Sequence, residues 1–135
     1  MNELGQSFGG LLLRITVGGL LLFHGVSKLT HGVAWMAGPL EAFHLPFFVA
    51  YGVFVGEIVA PILIILGIWT RPAALVIAFD LFMAVILVAR HGVAHLSPGG
   101  GWGIELEALY LLTALTLFFL GAGKFSVAGA NGKWN

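Results

Sequence analysis

The side chains of this sequence that could do acid–base or binding chemistry lie inside strongly apolar segments. A histidine and two carboxylates in a low-dielectric site can share protons, hold a quinone-type carbonyl or coordinate a metal. Quinone reduction consumes two protons, so a group of titratable side chains suits that reaction. Six side chains form the predicted polar cluster: Arg14, His24, Lys28, Glu57, Glu107 and Tyr110.

A structural interpretation of the polar cluster stays open beside the chemical one. A charge near the centre of a spanning helix costs roughly 2.5–3.5 kcal/mol on insertion scales, so we expect buried charges to be paired. Arg14 and Lys28 could neutralise the carboxylates and thereby hold the helices in register. The sequence alone leaves open whether the cluster binds a ligand, moves protons or only stabilises the fold.

Asp80 stands alone in a strongly apolar segment. Burial disfavours its charged form unless a partner reaches it, and Arg14 or a backbone group is the expected partner. A structural hydrogen bond and a proton relay are both compatible with this position.

Glu105 and Glu107 lie about 200° apart on a helix, so only one of them can face the other helices. Glu107 shares a face with Tyr110, and we expect it to point inward. Glu105 is predicted to be a solvated charge at the helix end.

Several other kinds of site find little support. His91 and His95 have the i, i+4 spacing of metal ligands, but no HExxH pattern accompanies them and no metal site is predicted. The absence of cysteine excludes a thiol relay, a thiolate metal site and disulfides. The glycine run at 99–101 lacks the lysine of a phosphate-binding loop.

The composition is that of an integral membrane protein. Of the 135 residues, 59% are hydrophobic and only 9% are charged, which is too little polarity for the surface of a soluble domain. The formal net charge is zero, so no electrostatic footprint for nucleic acid exists. The N-terminal segment has no basic region before the first apolar run, and we expect that run to be retained as a span.

Hydropathy predicts a single domain over residues 1–135, an all-α polytopic membrane protein with four transmembrane helices in a bundle. The small residues Gly18, Gly19 and Gly25 should permit close packing of the first helix. The loop after it is predicted to contain a short interfacial helix around Trp35, and the tail beyond the last span is predicted to be partly mobile. The predicted spans are residues 8–29, 46–68, 72–90 and 104–120.

Three segments resemble the DoxX family of small four-helix inner-membrane proteins. The first is RITVGGLLLFHGVSKL at 14–29, the second is Glu57 followed by GIWTRPAAL at 67–75, and the third is GIELEALYLLTALTLFFLGAGKFS at 103–126. One departure is visible, because the family often has an aspartate shortly after the serine that is Ser126 here.

The resemblance implies a multi-pass protein of a bacterial-type inner membrane that works with membrane oxidoreductases. The family takes its name from a subunit of a thiosulfate:quinone oxidoreductase.

The basic residues Arg71, Lys124 and Lys133 outnumber those predicted on the opposite side, which favours cytoplasmic termini.

The leading hypothesis is an accessory or quinone-interacting subunit of a membrane oxidoreductase complex that acts through the polar cluster. No haem, flavin or iron–sulfur motif is recognised, so electrons must come from a partner or be carried by quinone. The expected partners are the lipid bilayer and other membrane subunits or copies of the same chain. Two alternatives are a non-enzymatic scaffold or assembly protein and a small-molecule or proton transporter.

Overall fold

The chain is built from α-helices. In the computed structural model, which describes residues 2–135, five helices follow one another, and the β pairing is limited to one bridge between Leu96 and Trp102. The predicted all-α class is therefore confirmed. The helices are α1 (Glu3–His31), α2 (Ala37–Ala42), α3 (Phe47–Leu66), α4 (Thr70–Ala94) and α5 (Glu105–Leu120).

Helices α1, α3 and α4 are long and apolar enough to cross a membrane, with 29, 20 and 25 residues. Their outer faces are apolar, and Phe23 and Phe48 are exposed by 77% and 72%. Helix α5 has 16 residues, or about 24 Å at ~1.5 Å per residue, which is shorter than a typical hydrocarbon core of ~30 Å. Three spans are thus supported by length and composition, while a fourth crossing by α5 stays a prediction.

The sequence at both ends of α1 explains where this helix begins and stops. The side chain of Asn2 accepts a hydrogen bond of 2.9 Å from the N–H of Gly5 and so caps the first turn. Gly32 has a φ of +82°, which favours glycine, and its N–H donates to the carbonyl of Lys28. Glu3 in the first turn and His31 in the last complement the helix dipole.

Helix α3 contains a π-helical turn over Val55–Val59. The N–H of Ala60 donates to the carbonyl of Val55, five residues earlier, which is the hydrogen bond of a π-helix. The next residue, Pro61, has no N–H to donate to the carbonyl of Glu57. The extra residue in this turn changes the rotation of the helix locally and leaves Glu57 buried. A second π-helical turn lies in α4 at Val85–Ala89.

Two glycines let α1 approach α3 closely. A Cβ atom at Gly18 would lie 2.9 Å from the carbonyl oxygen of Pro61, and one at Gly25 would lie 2.5 Å from that of Glu57. Both distances are shorter than van der Waals contact, so a larger residue would force the helices apart. Gly19, predicted to share this role, has no atom within 4 Å of such a Cβ and is not needed for the contact.

The main hydrophobic core lies where α1, α3, α4 and α5 meet. Helices α4 and α5 supply small residues there, and Ala74 and Ala114 are fully buried. The largest core side chains are Leu21, Ile64, Ile77, Leu81, Tyr110 and Leu117.

The tail after α5, which the sequence predicts to be partly mobile, folds back on the bundle and is hydrogen-bonded to it. The N–H of Val127 donates to the carbonyl of Leu66 at 2.9 Å. The Asn135 side chain accepts from the N–H of Thr70 and donates to the carbonyl of Gly67. These hydrogen bonds supply partners for backbone carbonyls at the end of α3 and for a backbone N–H at the start of α4, which have no partner within their own helix.

The start of α1 and the tail after α5 lie at the same end of the bundle. The ammonium group of Lys124, just after α5, is 2.6 Å from a carboxylate oxygen of Glu3 at the start of α1. The N–H of Lys124 also reaches the hydroxyl of Ser7. We call this the terminal end, and the end that carries α2 and the α4–α5 connection the loop end.

Candidate functional site

An ion pair between Lys28 and Glu57 forms the centre of the candidate site. The Lys28 Nζ atom donates to both carboxylate oxygens of Glu57 at 2.5 Å. The two side chains are 19% and 9% exposed. Gly25, one turn before Lys28, permits the close approach of α1 to α3 that brings the pair together. The ion pair is charge-assisted and links two helices far apart in sequence.

A cavity of about 350 Å³ lies on one side of the ion pair, between α3 and α4. Residues of the segment before α3, including Trp35 and Leu45, cover its loop end. Apart from the ion pair and Asp80, its walls are apolar. Its apolar lining residues include Met36, Val49, Val53, Val76, Met83 and Leu87.

Asp80 is the third ionisable side chain of this larger cavity. Its carboxyl group packs directly on the backbone of Gly56, where any Cβ would overlap the Asp80 side chain. Gly56 precedes Glu57 in the chain, so the two carboxyl groups lie beside the same turn of α3. Asp80 belongs to neither of the two ion pairs found within residues 2–135.

A second cavity of about 170 Å³ lies on the other side of the ion pair, among α1, α4 and α5. His24, Glu107 and Tyr110 line it together with Lys28 and Glu57. The rings of His24 and Tyr110 meet edge to face, with centroids 6.1 Å apart. Five of the six residues of the predicted polar cluster thus border one small cavity.

The two cavities share one wall. Lys28 and Glu57 belong to the lining of both, as do Trp35, Ala84 and Val88. The Glu57 carboxylate thus borders both cavities. We therefore take the shared wall, with its ion pair, as the candidate binding site.

The charges around the two cavities do not balance. Lys28 is the one lysine or arginine in their lining, whereas three carboxyl groups line them, those of Glu57, Asp80 and Glu107. A charged group in a low-dielectric site needs a partner or takes up or releases a proton. The site can therefore hold protons or meet a hydrogen-bonding ligand. The ammonium group of Lys28 has three N–H donors, of which Glu57 takes two.

Arg14 lies apart from this site, at the terminal end, contrary to the prediction of one continuous polar cluster. It is 1% exposed and binds four backbone carbonyl oxygens instead of a carboxylate. The donors are Nε to Ile64 at 2.8 Å, Nη1 to Ala122 and Phe125 at 2.6 and 2.8 Å, and Nη2 to Ile65 at 2.9 Å. Of the two partners expected for Asp80, Arg14 or a backbone group, Arg14 is therefore excluded. The turn at Gly67 and the folded tail, which sequence periodicity does not reveal, create these acceptors.

The remaining candidate residues lie outside both cavities. Glu105 is exposed at the start of α5, whereas Glu107, two residues later, is half-buried. His91 lies in the last 3₁₀ turn of α4 and His95 in the extended segment after it, and both are exposed. Within residues 2–135, no three histidine, aspartate or glutamate side chains gather as metal ligands would.

Sequence reasoning missed two contributors to the site, Trp35 and Gly56. The sequence predicts Trp35 at the membrane interface, and in the structure it lines both cavities while staying 52% exposed. Gly56 could have been suspected, because small residues in spanning helices permit close packing. Its partner Asp80 could not, since the contact joins different helices.

Comparison with known proteins identifies one matching family and two similar proteins. The family model described as DoxX matches residues 9–90, a range that includes Lys28, Glu57 and Asp80. An uncharacterized protein of Haemophilus influenzae is 35% identical over 111 residues, which cover 82% of this chain and 81% of the relative. A Bacillus subtilis protein named "Putative oxidoreductase CatD" is 32% identical over 117 residues, 84% of this chain and 80% of its own. No solved structure matches the chain.

The matches agree with the segments that carried the resemblance. The segments at 14–29 and 67–75 lie inside the matched range, and the third, at 103–126, lies beyond it. The family match covers more than half of the chain, and both relatives are matched over about four fifths of their lengths. Together with three helices suited to crossing a bilayer, these matches show that the chain is a membrane protein of the DoxX family.

Proposed function

We propose that this chain is a quinone-interacting subunit of a membrane oxidoreductase complex. The observation that carries the proposal is the Lys28–Glu57 ion pair, which is the shared wall of an apolar cavity and a polar one. The larger cavity would receive the carbonyl-bearing ring, and the smaller one would exchange protons with Glu57. The name of the Bacillus subtilis relative supports an oxidoreductase context.

The donor set of the larger cavity fits such a ring. Its volume of about 350 Å³ lies within the ~300–1,000 Å³ of small-molecule sites, which combine apolar walls with a few polar groups. The free N–H of Lys28 can donate to a ring carbonyl oxygen. A quinone, when bound, accepts two electrons and two protons and so becomes the corresponding quinol.

The residues of the chain would supply and direct the protons of that reaction. Glu57 and Asp80 can each hold a proton at the wall of the larger cavity. His24 and Glu107 line the other side of Glu57 and can restore its proton. Tyr110, edge to face with His24, holds the imidazole in place. Since Glu57 lines both cavities, it has a position suited to passing a proton between them.

Electrons would come from a partner protein. No redox-cofactor motif is recognised in the sequence, so the oxidoreductase partner is proposed to carry its own redox centre. The broad apolar surface of α1, α3 and α4 offers room for lipid and for another membrane subunit or a second copy of the chain. We place the protein in a bacterial-type inner membrane with four spans, α5 being the fourth, and with cytoplasmic termini.

The experiment begins with purification of the tagged protein from native membranes in mild detergent. Mass spectrometry identifies bound proteins, and solvent extraction identifies bound lipid and quinone. We expect an oxidoreductase subunit and retained quinone. Recovery of only lipid and copies of the chain would refute the proposal and favour a scaffold or a transport path.

A pair of variants tests the role of the ion pair directly. Glu57→Gln keeps the shape of the side chain but cannot carry a proton or balance the charge of Lys28. We expect it to lose retained quinone while the folded protein is still recovered. Glu105→Gln is the matched control, because Glu105 is exposed and lines neither cavity. Full quinone retention in a folded Glu57→Gln protein would show that this carboxylate has no such role.

A further inference from the structure

The larger cavity has a polar inner wall and an apolar opening. Lys28 and Glu57 stand at the inner wall, and both side chains are mostly buried. On the opposite side, lining residues are themselves exposed, Val55 on α3 by 50% and Phe79 on α4 by 65%. A side chain that lines a cavity and is also exposed marks a place where the cavity reaches the surface, and Trp35 and Val88 mark a second such place toward the loop end.

The opening at Val55 and Phe79 lies between α3 and α4, and we call it the lateral mouth. None of its residues is charged. Val55 and Phe79 lie near the middle of helices that are long and apolar enough to cross a bilayer. At that depth the surroundings of a spanning helix are hydrocarbon. The lateral mouth is formed by Gly52, Val55, Val76 and Phe79.

We propose that the larger cavity opens sideways into the bilayer and that the lateral mouth holds the hydrocarbon chain of the ligand. This inference rests on the proposed function, which places the ring at Lys28 and Glu57. It adds a ligand class, an amphiphile with a polar ring and a long apolar chain that enters from lipid. Free water-soluble ring compounds are not its natural ligands.

The distribution of polarity supports this direction of entry. A long chain is as well solvated by lipid as by apolar side chains, so movement through the mouth avoids transfer to water. The polar ring is the part that gains a partner, the N–H of Lys28. The smaller cavity differs, because the polar His24 is among the exposed residues of its lining, together with the apolar Trp35, Val88 and Leu106. Protons can therefore approach Glu57 past His24, on the side of the ion pair away from the lateral mouth.

Gly52 keeps the lateral mouth open. It is exposed, it lines the cavity, and a Cβ atom at this position would meet no atom within 4 Å. A leucine at position 52 can therefore occupy the mouth without pushing the backbone. Val76, on the opposite helix, offers a second and independent position for the same obstruction.

The test compares two quinones with the same ring, one with a decyl chain and one with a methyl group. Each is equilibrated with purified full-length protein in mild detergent, and bound quinone is extracted and measured. For Gly52→Leu and Val76→Phe we expect the dissociation constant of the decyl compound to rise roughly tenfold or more. Binding of the methyl compound should stay within about twofold of the original protein.

Gly19→Leu is the matched control, since it places the same side chain in a helix where no atom lies within 4 Å of the new Cβ. It should change neither constant. Equal effects on both quinones, or none, in the two mouth variants would overturn the lateral mouth and leave the ring site standing. Failure of the unaltered protein to bind either quinone would overturn both proposals. Displacement of the decyl compound by excess phospholipid would assign the mouth to a lipid acyl chain and overturn the ligand-chain proposal.

Discussion

Arg14 and Lys28 are two basic side chains on the same helix, and they have opposite surroundings. Arg14, at the terminal end, is buried and surrounded by four carbonyl oxygens. Lys28, toward the loop end, has one carboxylate partner, and two cavities adjoin it. Both side chains face the bundle, yet only one of them stands beside free volume.

The difference separates a structural cation from one suited to binding. Carbonyl acceptors cannot titrate, and those around Arg14 belong to the C-terminal end of α3 and to the tail, so the contact holds these segments together. The partner of Lys28 is instead a charged carboxylate, and Lys28 keeps a donor for a third molecule. Burial alone therefore does not identify a functional charge in this chain; the chemistry of the partner and the space beside it do.

The largest effect is expected from Arg14→Met. The substitution removes every donor from four carbonyl oxygens, and a buried polar group without a partner costs ~1–3 kcal/mol. We expect the free energy of unfolding to fall by about 3–5 kcal/mol. The measurement is equilibrium unfolding in detergent micelles, with Arg90→Met as control, because Arg90 is exposed. Arg14 is not a structural cation if the two variants unfold alike.

Gly25→Ala tests whether close helix packing supports the ion pair. The new Cβ atom would lie 2.5 Å from the carbonyl oxygen of Glu57. Overpacking of this kind costs about 1–3 kcal/mol, and the separation of α1 from α3 should also weaken quinone retention. Gly19→Ala is the control and should keep both properties, since its Cβ meets open space. If Gly25→Ala lowered the unfolding free energy but left quinone retention unchanged, close packing of α1 on α3 would not be needed for the role of the ion pair.

Asp80→Asn tests whether Asp80 belongs with Lys28, as a functional side chain, or with Arg14, as a structural one. The amide has nearly the same shape but cannot hold or release a proton at the cavity wall. We expect a folded protein with an unfolding free energy within about 1 kcal/mol of the original, together with slower turnover in the intact complex. Steady-state quinone reduction is the measurement. A stability loss as large as that of Arg14→Met would assign Asp80 to the structural class.

The smallest effect is expected from Lys124→Gln. Its ion pair with Glu3 is short, at 2.6 Å, but both side chains are largely exposed. Exposed ion pairs contribute little because solvent screens them and two flexible side chains must be ordered. No measurable change in the unfolding midpoint or in quinone retention is expected. A clear fall in the unfolding midpoint or in quinone retention would show that the Lys124–Glu3 ion pair contributes to stability or to function.

The amino-acid sequence by itself determined the class of the protein and most of its helices. A spanning helix satisfies its own backbone hydrogen bonds, so a long apolar segment is sufficient to predict it. The sequence also indicated that Glu107 faces inward, because helical periodicity is a local property. Gly18 and Gly25 also indicated that α1 packs closely on another helix, although not that this helix is α3.

Only the tertiary structure decided which partner each charge has. The acceptors of Arg14 come from the end of α3 and from the tail, and the contact of Asp80 comes from Gly56 on another helix. Both depend on how distant segments meet, which local pattern does not encode. The same holds for the two cavities: they exist because α3, α4 and α5 leave space beside Lys28 and Glu57, and empty space has no sequence signature.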